Sequence, residues 1–265
     1  MGQGLEAGPE LRVRLAHPLG HGAHLAVALG QEDHDALGEA DRIVVFLTER
    51  HGKVRAVAKG VRKTNSKFGA RLEPLTHADL LVWQGRSDLD IVNQVEVIDA
   101  FRSVREDLDR LPSGMALLEV SEQMAQERHP DPRLYAMVVG ALRTLADEKT
   151  DPLLLAPSFF LKALVNEGAG PVLDECAVCG EPDGVVELVA FDLLVGGVLC
   201  RAHRSGRPMS AAALTLLRRI LGGDMVAVLA GAPPKGAEEV AELATSAMEA
   251  HLDRRIRSVR STAHL

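Results

Sequence analysis

The chain has 265 residues, a formal net charge of −7, 46% hydrophobic residues and 25% charged residues. That is the composition of an ordinary globular protein, long enough for two or three modules. No apolar run approaches the roughly 18 to 20 residues needed to cross a bilayer, and the N-terminus lacks a basic, apolar, small-residue signal pattern, so a cytoplasmic protein with no membrane partner is expected.

Residues 1–24 carry glycines, prolines and histidines without a sustained period and read as an irregular tail. His17, His21, His24 and His34 cluster loosely in and after it and read as surface residues. From 25 to 100 the pattern becomes short β-rich runs: HLAVAL, RIVVFLTE, KVRAVAKGV, HADLLVWQ and DIVNQVEVID, with a hairpin turn at Arg50-His51-Gly52-Lys53. Five such runs fit an OB-fold β-barrel, with a small SH3-like barrel as the alternative. After Phe101 the period lengthens. Met115, Leu118 and Met124 mark a helix starting near Pro112-Ser113. Leu134, Met137, Val138, Ala141, Leu142 and Leu145 mark a second, and Phe159 to Leu164 a third, entered with Pro157-Ser158 at its N-cap. Residues 171–208 read as a separate small unit, followed by helices over 210–221 and 236–254. The expected class is α+β: an OB-fold over 25–100, then an α-helical domain (101–170 and 209–265) with an inserted zinc-ribbon-like module at 171–208.

Between Arg42 and Arg71 the acidic chain turns basic. Arg42, Arg50, Lys53, Arg55, Lys59, Arg62, Lys63, Lys67 and Arg71 stand against Glu49 alone, nine basic side chains to one acid and a local charge of +8. A solvated sheet edge usually mixes both signs, so this reversal points to a polyanion, and these nine residues are the candidate DNA contacts. Aromatics make up only 3% of the chain. Phe46, Phe68 and Trp83 lie in or near the basic stretch, and most of them are expected in the core. Phosphate contacts should therefore outweigh base stacking, with slight sequence preference.

All three cysteines fall into x-x-spaced pairs: Cys176-Ala-Val-Cys179-Gly180 and, twenty residues on, Cys200-Arg-Ala-His203. Each pair presents two donors from one turn, and together they make a closed Cys3His shell for one structural Zn2+. Buried thiols are the plainer alternative. A closed shell leaves no place for a reacting water. A deaminase would need His-x-Glu before Pro-Cys-x-x-Cys, and residue 175 is Glu. No phosphate-binding Gly-x-x-x-x-Gly-Lys-Ser/Thr loop and no triad-like motif occurs, so no catalytic residue is assigned. A non-enzymatic DNA-binding protein leads; a zinc-ribbon RNA-binding factor and a metal-dependent hydrolase are the competing readings.

Residues 37–101 carry Leu37-Gly38-Glu39-Ala40-Asp41-Arg42, His51-Gly52-Lys53, Ala58-Lys59-Gly60-Val61-Arg62, Phe68-Gly69 and Leu72-Glu73-Pro74. This stretch resembles the bacterial RecO family of recombination mediators, and the Cys176, Cys179, Cys200, His203 set matches that family's zinc module. The likeness extends over about 37–255. Before Leu37 the chain departs from the family: HGAHLAVALGQEDHD lacks the early tyrosine and the arginine of the usual first strand. The resemblance implies binding of single- and double-stranded DNA, annealing of complementary strands, and loading of the recombinase together with RecR, in the cytoplasm at the nucleoid. It also implies that the helical domain captures the C-terminal tail of the single-stranded DNA-binding protein. Such a tail needs an apolar pocket rimmed by Lys or Arg. Two stripes offer one: Phe159 to Leu164 with Lys162, and Leu214 to Leu221 with Arg218 and Arg219.

Overall fold

The computed structural model describes residues 25–32, 41–61, 66, 68–83 and 89–260. The predicted tail 1–24, and with it His17, His21 and His24, lies outside them, as does His34. Strands β1 (Leu25–Glu32), β2 (Arg42–Thr48), β3 (Gly52–Ala58), β4 (His77–Trp83) and β5 (Asp90–Asp99) close a barrel in the order β1-β2-β3-β5-β4. The β3–β5 pairing is parallel and the others antiparallel. A five-stranded barrel of this order is an OB-fold, which sets aside the SH3-like alternative.

The two faces of β1 and β2 go to two different cores. Ala26, Ala28, Val44 and Phe46 point into the barrel with Ala56, Ala58, Ala78, Leu80, Val92 and Val95, and Phe68 and Leu72 of a 3-10 turn (Gly69–Leu72) complete that cluster. Val27, Leu29, Val45 and Leu47 point out, yet they are buried too, against the helices. Side chains alternate along a strand, so covering both faces is why LAVAL and IVVFL read as unbroken apolar runs.

The helices are α1 (Arg102–Arg105), α2 (Arg110–Met124), α3 (Pro132–Ala146), α4 (Leu155–Asn166), α5 (Ala211–Leu221), α6 (Met225–Leu229), α7 (Ala237–His251) and α8 (Arg257–Arg260). Helix α2 is the hub and touches β1, β2, α1, α3, α4 and α8. Asp131 caps α3 by accepting from the Arg133 and Leu134 N–H groups at 3.0 and 2.9 Å, and the Ser210 hydroxyl caps α5 from the Ala213 N–H at 3.1 Å. Helix α4 corrects the expectation at Pro157-Ser158. It begins at Leu155, and Ser158 is a buried residue inside it rather than its cap. Pro157 is tolerated because first-turn N–H groups have no partner within the helix. Helix α2 likewise starts at Arg110, ahead of Pro112. Strands β6 (Leu188–Asp192), β7 (Gly197–Cys200) and β8 (Arg207–Pro208) form a small sheet in the order β7-β6-β8. Leu188, Ala190, Phe191, Val198 and Leu199 of this sheet join the same hydrophobic cluster as the helices.

Polar contacts reinforce the barrel–helix seam. The turn after α2 adds to the β2–β3 hairpin through Lys53 N–H to Gln126 O at 3.1 Å and Arg128 N–H to Lys53 O at 3.0 Å. Arg128 also pairs with the buried carboxylate of Asp90 at 3.1 Å. On the other side of the seam His77 of β4 hydrogen-bonds through Nε2 to the Tyr135 hydroxyl of α3 at 2.8 Å, with both residues buried.

Gly52 is required here twice over. Its φ is +65°, and a Cβ on it would stand 2.0 Å from the His129 carbonyl oxygen. Gly52→Ala is expected to destabilise the fold by about 2 kcal/mol or more, read as a lower denaturation midpoint. Burial pushes the His77 pKa below 6.5, with Arg143 acting the same way and Asp99 opposing. The unfolded chain therefore takes up this proton before the folded one does. The stability carried by the neutral His77–Tyr135 pair is full above about pH 6.5 and is lost as pH falls below it. His77→Gln should flatten the loss of stability between about pH 7 and pH 5; an unchanged slope would place that loss on other groups.

Candidate nucleic-acid interface and metal centre

The fold divides the nine predicted basic residues by position. Arg42 opens β2 opposite Ala58, which closes β3, so Arg42 and Lys59 share one end of the hairpin. The Gly60 N–H donates to Asp41 Oδ1 at 2.6 Å and fixes the turn there. Arg42 donates to the Gln31 side-chain oxygen, and Gln31 donates in turn to Leu72 O at 3.0 Å. This chain of contacts draws the 3-10 turn carrying exposed Arg71 to the same end. A groove of about 590 Å³ beside it is lined by Arg71, Arg102 and Arg105, by the acids Glu73 and Glu106, and by Phe68 among others. Arg105 is engaged by Glu73, the Pro74 carbonyl and Thr76. Arg102 is exposed. A count of charge along the sequence misses Arg102, because it lies 31 residues past Arg71 and only the barrel's closure brings it near.

Lys53 and Arg55 sit elsewhere, in the seam. Lys53 Nζ donates to the Glu122 carbonyl at 3.0 Å. Arg55 forms an ion pair with Glu32, which raises its pKa, and Glu127 and Glu122 add to the effect. Arg50 lies at the opposite tip of the hairpin, 66% exposed, with Glu49 at 4.0 Å. The hairpin is seven residues long on each side, so that tip stands roughly 20 Å from Arg42. Arg62, Lys63 and Lys67 lie outside the described residues. Of the aromatics near the basic stretch, Phe46 and Phe68 are buried in the barrel and Trp83 is 54% exposed.

The predicted ligand set comes together in space. The donor atoms of Cys176, Cys179, Cys200 and His203 all lie within 4.8 Å of one another. His203 Nδ1 is 3.8 Å from Cys176 Sγ and 3.3 Å from Cys200 Sγ. Donors about 2.0 to 2.3 Å from a tetrahedral ion stand roughly 3.5 to 3.8 Å apart, so the cage fits one such ion. Its first corner is a turn closed by Gly180 N–H to Cys176 O at 2.8 Å, with Gly180 at φ +71°. Its second is the step from β7 into a 3-10 turn (Arg201–His203). Burial alone would raise the Cys176 pKa, but the backbone N–H groups of Cys179, Cys200 and Val178 outweigh it and bring the thiol down to about 6. A thiolate at neutral pH is the form that binds metal. The Glu181 N–H works to lower Cys179, but desolvation and the neighbouring thiols prevail, and its pKa is raised. A bound cation would favour the thiolate at Cys179 as well as at Cys176. Arg218 of α5 fastens this unit to the helices, donating to Leu173 O at 2.6 Å and pairing with Asp183 at 2.7 Å and Asp174 at 3.1 Å.

Residues 33–101 match the family described as Recombination protein O N terminal, and residues 105–260 match Recombination protein O C terminal. A protein of Thermobifida fusca named DNA repair protein RecO is 42% identical over 229 residues, which is 84% of this chain and 92% of that one. The protein of the same name from Frankia casuarinae is 41% identical over 228 residues, 84% of this chain and 91% of that one. The chain belongs to the RecO family. The gap between the two RecO matches, residues 102–104, falls within α1, three residues after β5 ends at Asp99. Strand β1 precedes the first match. The departure seen before Leu37 therefore has a structural outcome: a RecO barrel closed by a divergent strand that still pairs with β2 and β4. Among the described residues no helix is long and apolar enough to cross a membrane.

If the Cys3His cage of this RecO protein holds an ion, Cys179→Ser should release one equivalent of metal and lower the thermal midpoint, because binding energy there is folding energy. Metal analysis of the purified chain finding no transition metal at all would overturn this.

Proposed function

We propose that the chain is a non-catalytic recombination mediator that binds single- and double-stranded DNA through the basic end of its barrel. The observation that carries the reading is the gathering of Arg42, Lys59, Arg71 and Arg102 at one end of an OB-fold in a RecO family member. Arg62, Lys63 and Lys67 follow Lys59 in sequence and extend the same surface in this proposal. Lys53 instead ties the barrel to α2, and Arg55 pairs with Glu32 of β1, where Glu122 and Glu127 add to the acids that offset its charge. A surface that grips phosphates and leaves most bases unbound suits strand annealing, since both backbones must be neutralised while the bases pair. On this reading the protein anneals complementary strands and, with RecR, helps load the recombinase onto DNA coated by single-stranded DNA-binding protein at the nucleoid.

We infer that the ion of the Cys3His cage is a structural Zn2+, supported by a tetrahedral sulfur and nitrogen set with no vacant position. For the tail of the single-stranded DNA-binding protein, the stripe at Phe159 to Leu164 is core, and Arg218 is committed to the Cys/His unit. A groove of about 360 Å³ lined by Ala211, Ala212, Thr215, Leu216, Arg219, Pro234 and Lys235 has an apolar floor, with Lys235 as its cationic rim and Arg219 paired to Asp224 at 2.8 Å. It is the proposed receptor for that tail.

The decisive experiment is single-strand affinity against salt. Each phosphate contact contributes about −0.7 to the slope of log K on log salt. Lys59→Glu with Arg71→Glu should weaken binding and make the slope shallower by about 1.4, and Arg62→Glu with Lys63→Glu should act alike. Arg50→Glu, at the far tip, should leave the slope nearly unchanged. The reverse pattern would move the DNA surface to the hairpin tip.

A further inference from the structure

Trp83 is the chain's single tryptophan and ends β4 with 54% of its surface in water. Large apolar rings are normally buried, and the barrel buries both of its phenylalanines, Phe46 and Phe68. The register fixes what surrounds the indole. Trp83 pairs with Ile91 of β5, and Ile91 pairs with Val57 of β3. Paired residues project to the same face, so the three form a row on the barrel's outer side, exposed at Trp83, half-buried at Ile91 and buried at Val57, roughly 10 Å from Trp83 to Val57. Lys59 lies two residues beyond Val57 and is exposed. Leu81, two residues before Trp83 on the same face, is 40% exposed and opposes Gln94.

Exposed Lys59 follows Val57 at the hairpin end, so a polyanion crossing the indole is drawn across β5 and β3 toward it and the basic end. An exposed aromatic at the edge of a basic surface is the arrangement on which unpaired bases stack. Duplex bases present no free face to it.

We propose that Trp83 is a stacking platform for one unpaired base of single-stranded DNA, with the adjoining phosphates directed toward Lys59. The proposal rests on the DNA-binding reading above and adds to it a residue that separates single from double strands. With one tryptophan in the chain, its fluorescence reports the site directly. Oligothymidylate should quench the emission saturably, and a blunt duplex of equal length should bind without quenching. Trp83→Leu should lower oligothymidylate affinity about tenfold and leave duplex affinity unchanged, which also shows that the variant is folded; Trp83→Phe should keep most of the affinity. Wild-type affinity for oligothymidylate in Trp83→Leu would overturn the platform and leave the basic surface standing. Failure of the unaltered protein to bind either DNA would overturn the DNA-binding reading and the platform together.

Discussion

The outer face of β1 and β2 packs against α2, and this seam determines what the rest of the molecule can do. Val27, Leu29, Val45 and Leu47 share one hydrophobic cluster with Leu117, Leu118, Val138 and Phe160. Each buried aliphatic side chain contributes roughly 1.5 to 3 kcal/mol relative to exposure, so a handful of them outweighs any single polar contact across the seam. An OB-fold commonly uses its β2–β3 face for oligonucleotides. Here helices cover part of that face, and among the described residues the basic end of the barrel and the outer side of β4 and β5 stay open to solvent. The seam also settles the fate of Lys53 and Arg55: they point to the covered side, where Glu32, Glu122 and Glu127 surround them.

Much of this was legible in the residues. All five barrel strands stand out because each is a short β-rich run bounded by turn residues. The Cys/His cage is visible because two x-x-spaced pairs leave few other uses for those side chains. What the linear sequence hides is anything that depends on pairing. Nine basic residues within thirty positions look like one patch, but a hairpin sends Arg42 and Arg50 to opposite ends. Arg102 joins Arg71 only because β4 and β5 bring the chain back. The start of α4 was misjudged for a local reason. Pro-Ser is a common helix entry, yet Leu155 and Ala156 are themselves buried and extend the helix backward into the core.

The Cys/His unit reads as an insertion in sequence, yet it packs as part of the main body. Cys176 and Cys200 belong to the same cluster as Leu164, Leu217 and Met248, and Arg218 reaches from α5 to the Leu173 carbonyl and to two acids. Gly197 shows how close the packing is, since a Cβ there would come within 2.8 Å of Val172. If the cage holds an ion, its loss would therefore disturb more than a loose finger. Three thiols brought together without a cation either take up protons or repel one another, and the strain falls on β7, whose Val198 and Leu199 lie in the shared core. The basic end of the barrel and the Cys/His cage lie on different parts of the chain, but one continuous cluster joins the elements that carry them. In such a fold a change in metal content alters stability first, and any effect on DNA binding follows through the helices that hold the barrel.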